Sequence, residues 1–202
     1  MKDLESSKYI QSCLCDEKGF IKAEFLLSNE NGLEIFVDES SFNVLFEELN
    51  KFIKFYRLEM KISSREIFYK FFQNNDNLEY VFSNNKLFCD IGLRASKDEK
   101  LLTEEEFKLN ILLLGQFLFS HQDVNKYRPH DIGMNITHVS FLKGCFRGQE
   151  VIARTEHLSK KKKVITPIKY EDEVSINSKK IKTLKEISFE KSIFKLISFI
   201  PN

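Results

Sequence analysis

The chain has no tryptophan, only 3 prolines and 7 glycines, and 4 cysteines in 202 residues. So few prolines and glycines exclude a collagen-like or low-complexity chain. The longest unbroken apolar run is residues 111–114, far short of the roughly 20 residues that a spanning helix needs. Neither sign of charge dominates, with 31 basic against 30 acidic side chains. The basic surplus usual in nucleic-acid proteins is therefore missing, and no direct nucleic-acid contact is expected. Residues 1–10 contain Asp3 and Glu5 and no apolar core, which fits neither a secretory signal nor a transit peptide. With no signal, Cys13, Cys15, Cys89 and Cys145 are expected to stay reduced in a cytoplasmic protein without membrane attachment.

What is present is phenylalanine, 20 of them, within a hydrophobic share of 42% and a charged share of 30%. That composition is close to a globular average. A chain of this length can bury roughly 70% of its unfolded surface, so it folds without metal or disulfide. Charge is unevenly placed: residues 1–157 carry 20 basic and 25 acidic groups, residues 158–202 carry 11 and 5. Lys160, Lys161, Lys162 and Lys163 supply most of the swing, as a solvated loop or as a contact for a polyanion.

Strands are predicted over 9–15 and 20–27, joined by the turn Asp16-Glu17-Lys18-Gly19, and over 33–37. Asp38 or Ser40 caps a helix whose apolar positions Phe42, Leu45, Phe46, Leu49, Ile53 and Tyr56 recur at helical spacing. Further strands are predicted at 58–62, 66–72, 78–82 and 86–89, with asparagine-rich turns at 74–77 and 84–85. Thr103 and Glu106 make a capping box for a second helix with the stripe Phe107, Ile111, Leu114 and Leu118. Residues 120–135 read as loop and 151–157 as helix. Strands follow at 164–169, 174–176, 179–187 and 193–200. The order predicts an α+β region over 1–158 and a small C-terminal β unit over 159–202, divided at the lysine run.

Cys13 and Cys15, two apart on a strand, point to one face and read as small core residues. Cys145 differs. It lies in Lys143-Gly144-Cys145-Phe146-Arg147-Gly148-Gln149-Glu150, where two glycines allow either close approach of a ligand or simply a tight turn. Flanking Lys143 and Arg147 and a helix start near Gly148 predict a thiol that ionises easily. The four histidines show no paired spacing for a metal, and none is expected.

The octet KGCFRGQE at 143–150 resembles the K-G-C-[YF]-x-G-Q-E signature of the YgfZ family of folate-binding proteins, relatives of the glycine-cleavage T-protein. Pro129-His130-Asp131, Gly133-Met134-Asn135 and Val139-Ser140-Phe141 resemble its lead-in, and Val151-Ile152-Ala153-Arg154 its helical continuation. Phe55-Tyr56-Arg57-Leu58 and Cys89-Asp90-Ile91-Gly92-Leu93-Arg94 are similar to upstream family segments. The chain starts after the strand and F-L-Q-G segment with which the family usually opens. Ile111 and Phe117 stand where its arginine and proline usually are, and the C-terminal barrel is shortened.

The resemblance implies a T-protein-like folate-binding fold with a small C-terminal β-barrel-like unit. It implies tetrahydrofolate or another reduced folate as ligand, and iron–sulfur client or assembly proteins as partners. The implied role is accessory to iron–sulfur cluster assembly or repair, supporting tRNA modification indirectly. Two alternatives stand beside it: a tetrahydrofolate-dependent aminomethyltransferase, and a folate-free interaction module. The implied site comprises Cys145 as the reactive group, with Lys143, Gly144, Phe146, Gly148, Gln149, Glu150 and Arg154 around the ligand. Phe107 serves either as a stacking surface for the pterin or as one residue of its helix's buried stripe.

Overall fold

Alternating burial shapes the first sheet. In this computed structural model, β1 (Ile10–Cys15) and β2 (Ile21–Ser28) pair antiparallel, with Cys15 opposite Ile21. The structure describes residues 9–29, 32–63, 67–72, 82–83, 88–92, 101–159, 162–171 and 180–201, with backbone alone at 72, 82–83 and 88–92. Asp16 builds the hairpin turn: its carboxylate accepts from the N–H groups of Lys18 and Phe20 at 2.9 and 2.8 Å, and its carbonyl accepts from Gly19. β3 (Glu34–Val37) pairs with the other edge of β2. α1 (Glu39–Tyr56) packs on β2, and its N-cap is Asp38, whose carboxylate accepts from Ser40 N–H. Leu45 is buried, but Tyr56 is 65% exposed, so the predicted stripe ends before the last turn. Residues 58–62, expected as a strand, run exposed and pair with no strand among the described residues.

A second sheet joins β4 (Phe68–Phe72), β6 (Phe88–Gly92) and β5 (Phe82–Ser83) in the order β4-β6-β5. Most of the strand expected at 78–82, the turns at 74–77 and 84–85, and the strand at 174–176 lie outside the described residues. α2 (Glu104–Leu113) carries both bonds of the Thr103–Glu106 capping box. It ends earlier than its apolar pattern suggested. Gly115 takes a φ of +75°, and its N–H and that of Gln116 close back on Leu112 and Ile111. Beyond it the chain is extended, so Phe117 and Phe119 are buried with the alternation of a strand.

Residues 120–135 hold short 3-10 turns at His121–Asp123 and Pro129–Asp131, then α3 (Met134–Thr137). α4 (Gln149–Leu158) begins with the last two residues of the octet. The third sheet contains β7 (Val164–Lys169), β8 (Ile181–Phe189) and β9 (Ser192–Phe199) in the order β7-β9-β8, all antiparallel. Helices and separate antiparallel sheets make this a mixed fold of the α+β kind. Packing crosses the expected division at 158/159: Leu184 and Leu196 share one buried cluster with Cys15, Ile21, Leu112, Ile132 and Ile152. A second cluster gathers Tyr9, Leu26 and Leu114 with Phe36, Tyr69 and Phe71. No helix among the described residues is long and apolar enough to cross a membrane.

Candidate functional site

The octet has an outward and an inward half. Lys143, Gly144 and Cys145 are exposed on the loop before α4, after Leu142, which is 95% exposed. Glu150 is also exposed and pairs with Arg154 one turn later at 3.5 Å. Phe146 turns in, packing at the edge of the main core, and the Lys143 ammonium sits 4.9 Å from its ring centroid. The remaining residues hold the loop in place. Gln149 closes it on itself, its side-chain oxygen accepting from Phe146 N–H at 3.3 Å while its own N–H donates to the Phe146 carbonyl.

Arg147 ties the loop to two other elements. Its guanidinium donates to Glu48 on α1 at 2.9 Å and lies 3.3 Å from Glu17 in the hairpin turn. Burial pulls the Glu48 carboxyl up, but hydrogen bonds from Lys51 and Arg147 outweigh it and hold it below its ordinary value. The guanidinium expected beside Cys145 is thus engaged by two carboxylates.

Gly148 opens α4 with a φ of +76°. A Cβ there would meet the Asp16 carbonyl oxygen at 2.5 Å and Gly19 Cα at 2.9 Å. The glycine is thus required by backbone packed on backbone, not by approach of a ligand. Gly144 has neither constraint: a Cβ there meets nothing within 4 Å. Of the two glycines that bracket Cys145, Gly148 is the one this packing constrains.

Phe107 lies elsewhere. Its ring makes edge contacts with Tyr69 and Phe71 at 5.2 and 6.1 Å, rings that pack against the second cluster, whereas Phe146 packs against the first. Phe107 and the octet are therefore held by different parts of the core. This packing gives Phe107 a structural occupation that its helical spacing had already allowed.

Two polar constellations were not anticipated. Glu156 on α4 accepts from Lys162 at 2.6 Å and Asn135 at 3.1 Å, and His130 Nε2 lies 2.8 Å away. The Lys162 hydrogen bond, helped by those of His130 and Asn135, overcomes burial and takes the Glu156 carboxyl down to about 2. Lys163 pairs with Asp131 alongside. Half of the lysine run is thus tied to carboxylates, while Lys160 and Lys161 lie outside the described residues. The second constellation centres on buried His138, whose Nε2–H donates to Glu24 at 2.9 Å while its Nδ1 accepts from Thr137 Oγ1 at 2.7 Å. Glu48 had a readable signal, standing three residues after buried Leu45 at the rim of the α1 stripe. The His138–Glu24 pairing, across more than a hundred residues of sequence, had none. No three His, Cys, Asp or Glu side chains among the described residues are grouped to hold a metal ion.

Neither family models nor curated proteins match the chain.

The geometry does set an order of thiol reactivity. Cys145 is exposed, Cys15 is buried and Cys13 is half-buried. The contact with Cys15, together with burial, pushes the Cys13 thiol well above its ordinary value. Iodoacetamide at neutral pH is expected to alkylate Cys145 at least about tenfold faster than Cys13 or Cys15, following access and, for Cys13, its raised thiol. Peptide mapping of a time course reads this out, and equal labelling of the three would refute it.

Proposed function

We propose that the chain binds tetrahydrofolate or another reduced folate and serves as an accessory protein for iron–sulfur cluster assembly or repair, with tRNA modification as an indirect beneficiary. The observation that carries this reading is the octet KGCFRGQE, braced from behind by Arg147, Gly148 and Gln149 so that Cys145 stands exposed at its tip. A pterin needs an aromatic face and polar edge partners. Phe146, half-buried beside the Lys143 ammonium, fits the face better than Phe107, whose ring is engaged by Tyr69 and Phe71. Glu150 and Arg154, both exposed, fit the edge and the folate carboxylates. Cys145 would then meet the iron–sulfur client or assembly protein. A T-protein-like arrangement, with a C-terminal barrel-like unit, belongs to the same proposal, as does a cytoplasmic setting.

Calorimetric titration of tetrahydrofolate under anaerobic conditions tests the ligand. A dissociation constant of tens of micromolar, roughly −6 kcal/mol, is expected. Phe107→Leu, which keeps apolar volume, should bind equally well, and Phe146→Leu should bind at least about tenfold more weakly. No binding up to millimolar folate would leave the interaction-module reading. Methylene transfer from an aminomethyl donor would turn the assignment to the transferase.

A further inference from the structure

The core-facing side of the first sheet carries a pair that the proposed function does not use. Cys13 and Cys15 stand two residues apart on β1 and so share a face. Their Sγ atoms are 3.9 Å apart, and both thiols are free. Glu24 is the cross-strand register partner of Cys13, which places its carboxylate on that same face. The buried His138 orients this carboxylate by donating to it at 2.9 Å.

The separation of the two sulfurs suits chelation. Two metal–sulfur bonds of about 2.3 Å place their sulfurs about 3.8 Å apart at a tetrahedral angle and about 4.0 Å apart at a trigonal one. Two thiolates this close repel one another, and a cation between them removes that repulsion. Thiolates select soft ions over oxygen-seeking ones such as magnesium or calcium. A structural zinc wants four protein ligands, and no third such side chain is grouped with the pair among the described residues. A trigonal ion remains, held by the two thiolates with one exogenous ligand in its third position; linear two-coordinate binding would need the sulfurs about 4.6 Å apart.

We propose that Cys13 and Cys15 form a two-thiolate site for a soft, thiophilic ion of the monovalent-copper class, entered past the half-buried Cys13. On binding, each S–H bond breaks and its proton passes to solvent, and two copper–sulfur bonds form. Copper stays monovalent, so no oxidant or reductant takes part. Glu24 stands nearby as a negative group on the site's rim.

The test uses the full chain carrying Cys145→Ser, so that the exposed thiol is silent. Monovalent copper is titrated anaerobically against a chromophoric copper chelator. One equivalent is expected to bind, with two protons released. Adding Cys13→Ser or Cys15→Ser should weaken binding at least about 100-fold, and adding Cys89→Ser should leave it unchanged. Phenylarsine oxide supplies a reading that needs no core substitution: it condenses with paired thiols, releasing water, and should consume two thiols per arsenic at Cys13 and Cys15 by peptide mapping. Copper held equally well after Cys13→Ser, copper lost with Cys89→Ser, or one thiol consumed per arsenic would each overturn the site.

Discussion

Gly148→Ala is expected to unfold about 3 kcal/mol more easily than the parent chain, while Gly144→Ala stays within about 0.5 kcal/mol of it. Two costs add at position 148. A non-glycine residue at a φ of +76° pays about 1–2 kcal/mol for left-handed backbone. Its Cβ would also stand 2.5 Å from the Asp16 carbonyl oxygen and 2.9 Å from Gly19 Cα, and neither is a flexible side-chain end that could swing aside. The hairpin turn would have to move. It is held on its far side by Arg128 Nε donating to the Lys18 carbonyl and by Ile21 N–H donating to the Tyr127 carbonyl. Urea denaturation of both alanine variants measures the difference. Equal midpoints would mean that the turn yields.

The second large effect is a pH dependence. Glu156 has a folded value of about 2 against an ordinary 4.5. A carboxyl depressed on folding contributes stability that is fully present above its unfolded value and is lost as pH falls through the folded one. The window is therefore between about pH 4.5 and 2, and the contribution is about 2 kcal/mol once the exposure of Lys162 is allowed for. Asp131, drawn down by Lys163 and by the Arg128 backbone against its own burial, adds in the same direction. Glu156→Gln should lose about 2 kcal/mol at neutral pH, since His130 and Lys162 forfeit a charged acceptor. It should then decline less steeply than the parent between pH 4.5 and 2. Parallel slopes for parent and variant in urea titrations across that window would remove Glu156 as the source.

Local signals in the sequence carried the local structure. Asp38, the Thr103–Glu106 box and the Asp16–Gly19 turn each act within a few residues, and each forms as its chemistry suggests. The end of α2 was obscured because Ile111, Leu114 and Leu118 keep helical spacing while Gly115 adopts a left-handed angle. Phe117 and Phe119 then change period from 3.6 to 2. Tyr56 fits the α1 stripe, yet no partner element among the described residues covers the last turn there. At the candidate site, the octet was visible as a motif, and the exposure of Cys145 accords with its place on a glycine loop. The bracing of that loop was not visible. Arg147 finds Glu48 across 99 residues, and Gly148 meets a carbonyl from the first hairpin. Such long-range meetings leave no periodic trace, because neither partner's neighbours need to be special.

The shared burial of Cys15 and Leu196 in one core has a consequence for the making of the protein. The first hairpin is made well before β9, whose Leu196 comes about 175 residues after Ile21. At about 5–20 residues per second, the wait is on the order of ten to forty seconds. Throughout it Ile21, and from its own synthesis onward Ile152, lack the apolar cover that β8 and β9 will provide. The nascent chain therefore cannot complete this core piece by piece from its N-terminus. Translation speed through the codons that lead to β8 and β9, and chaperone occupancy during that interval, would bear on its yield of folded protein.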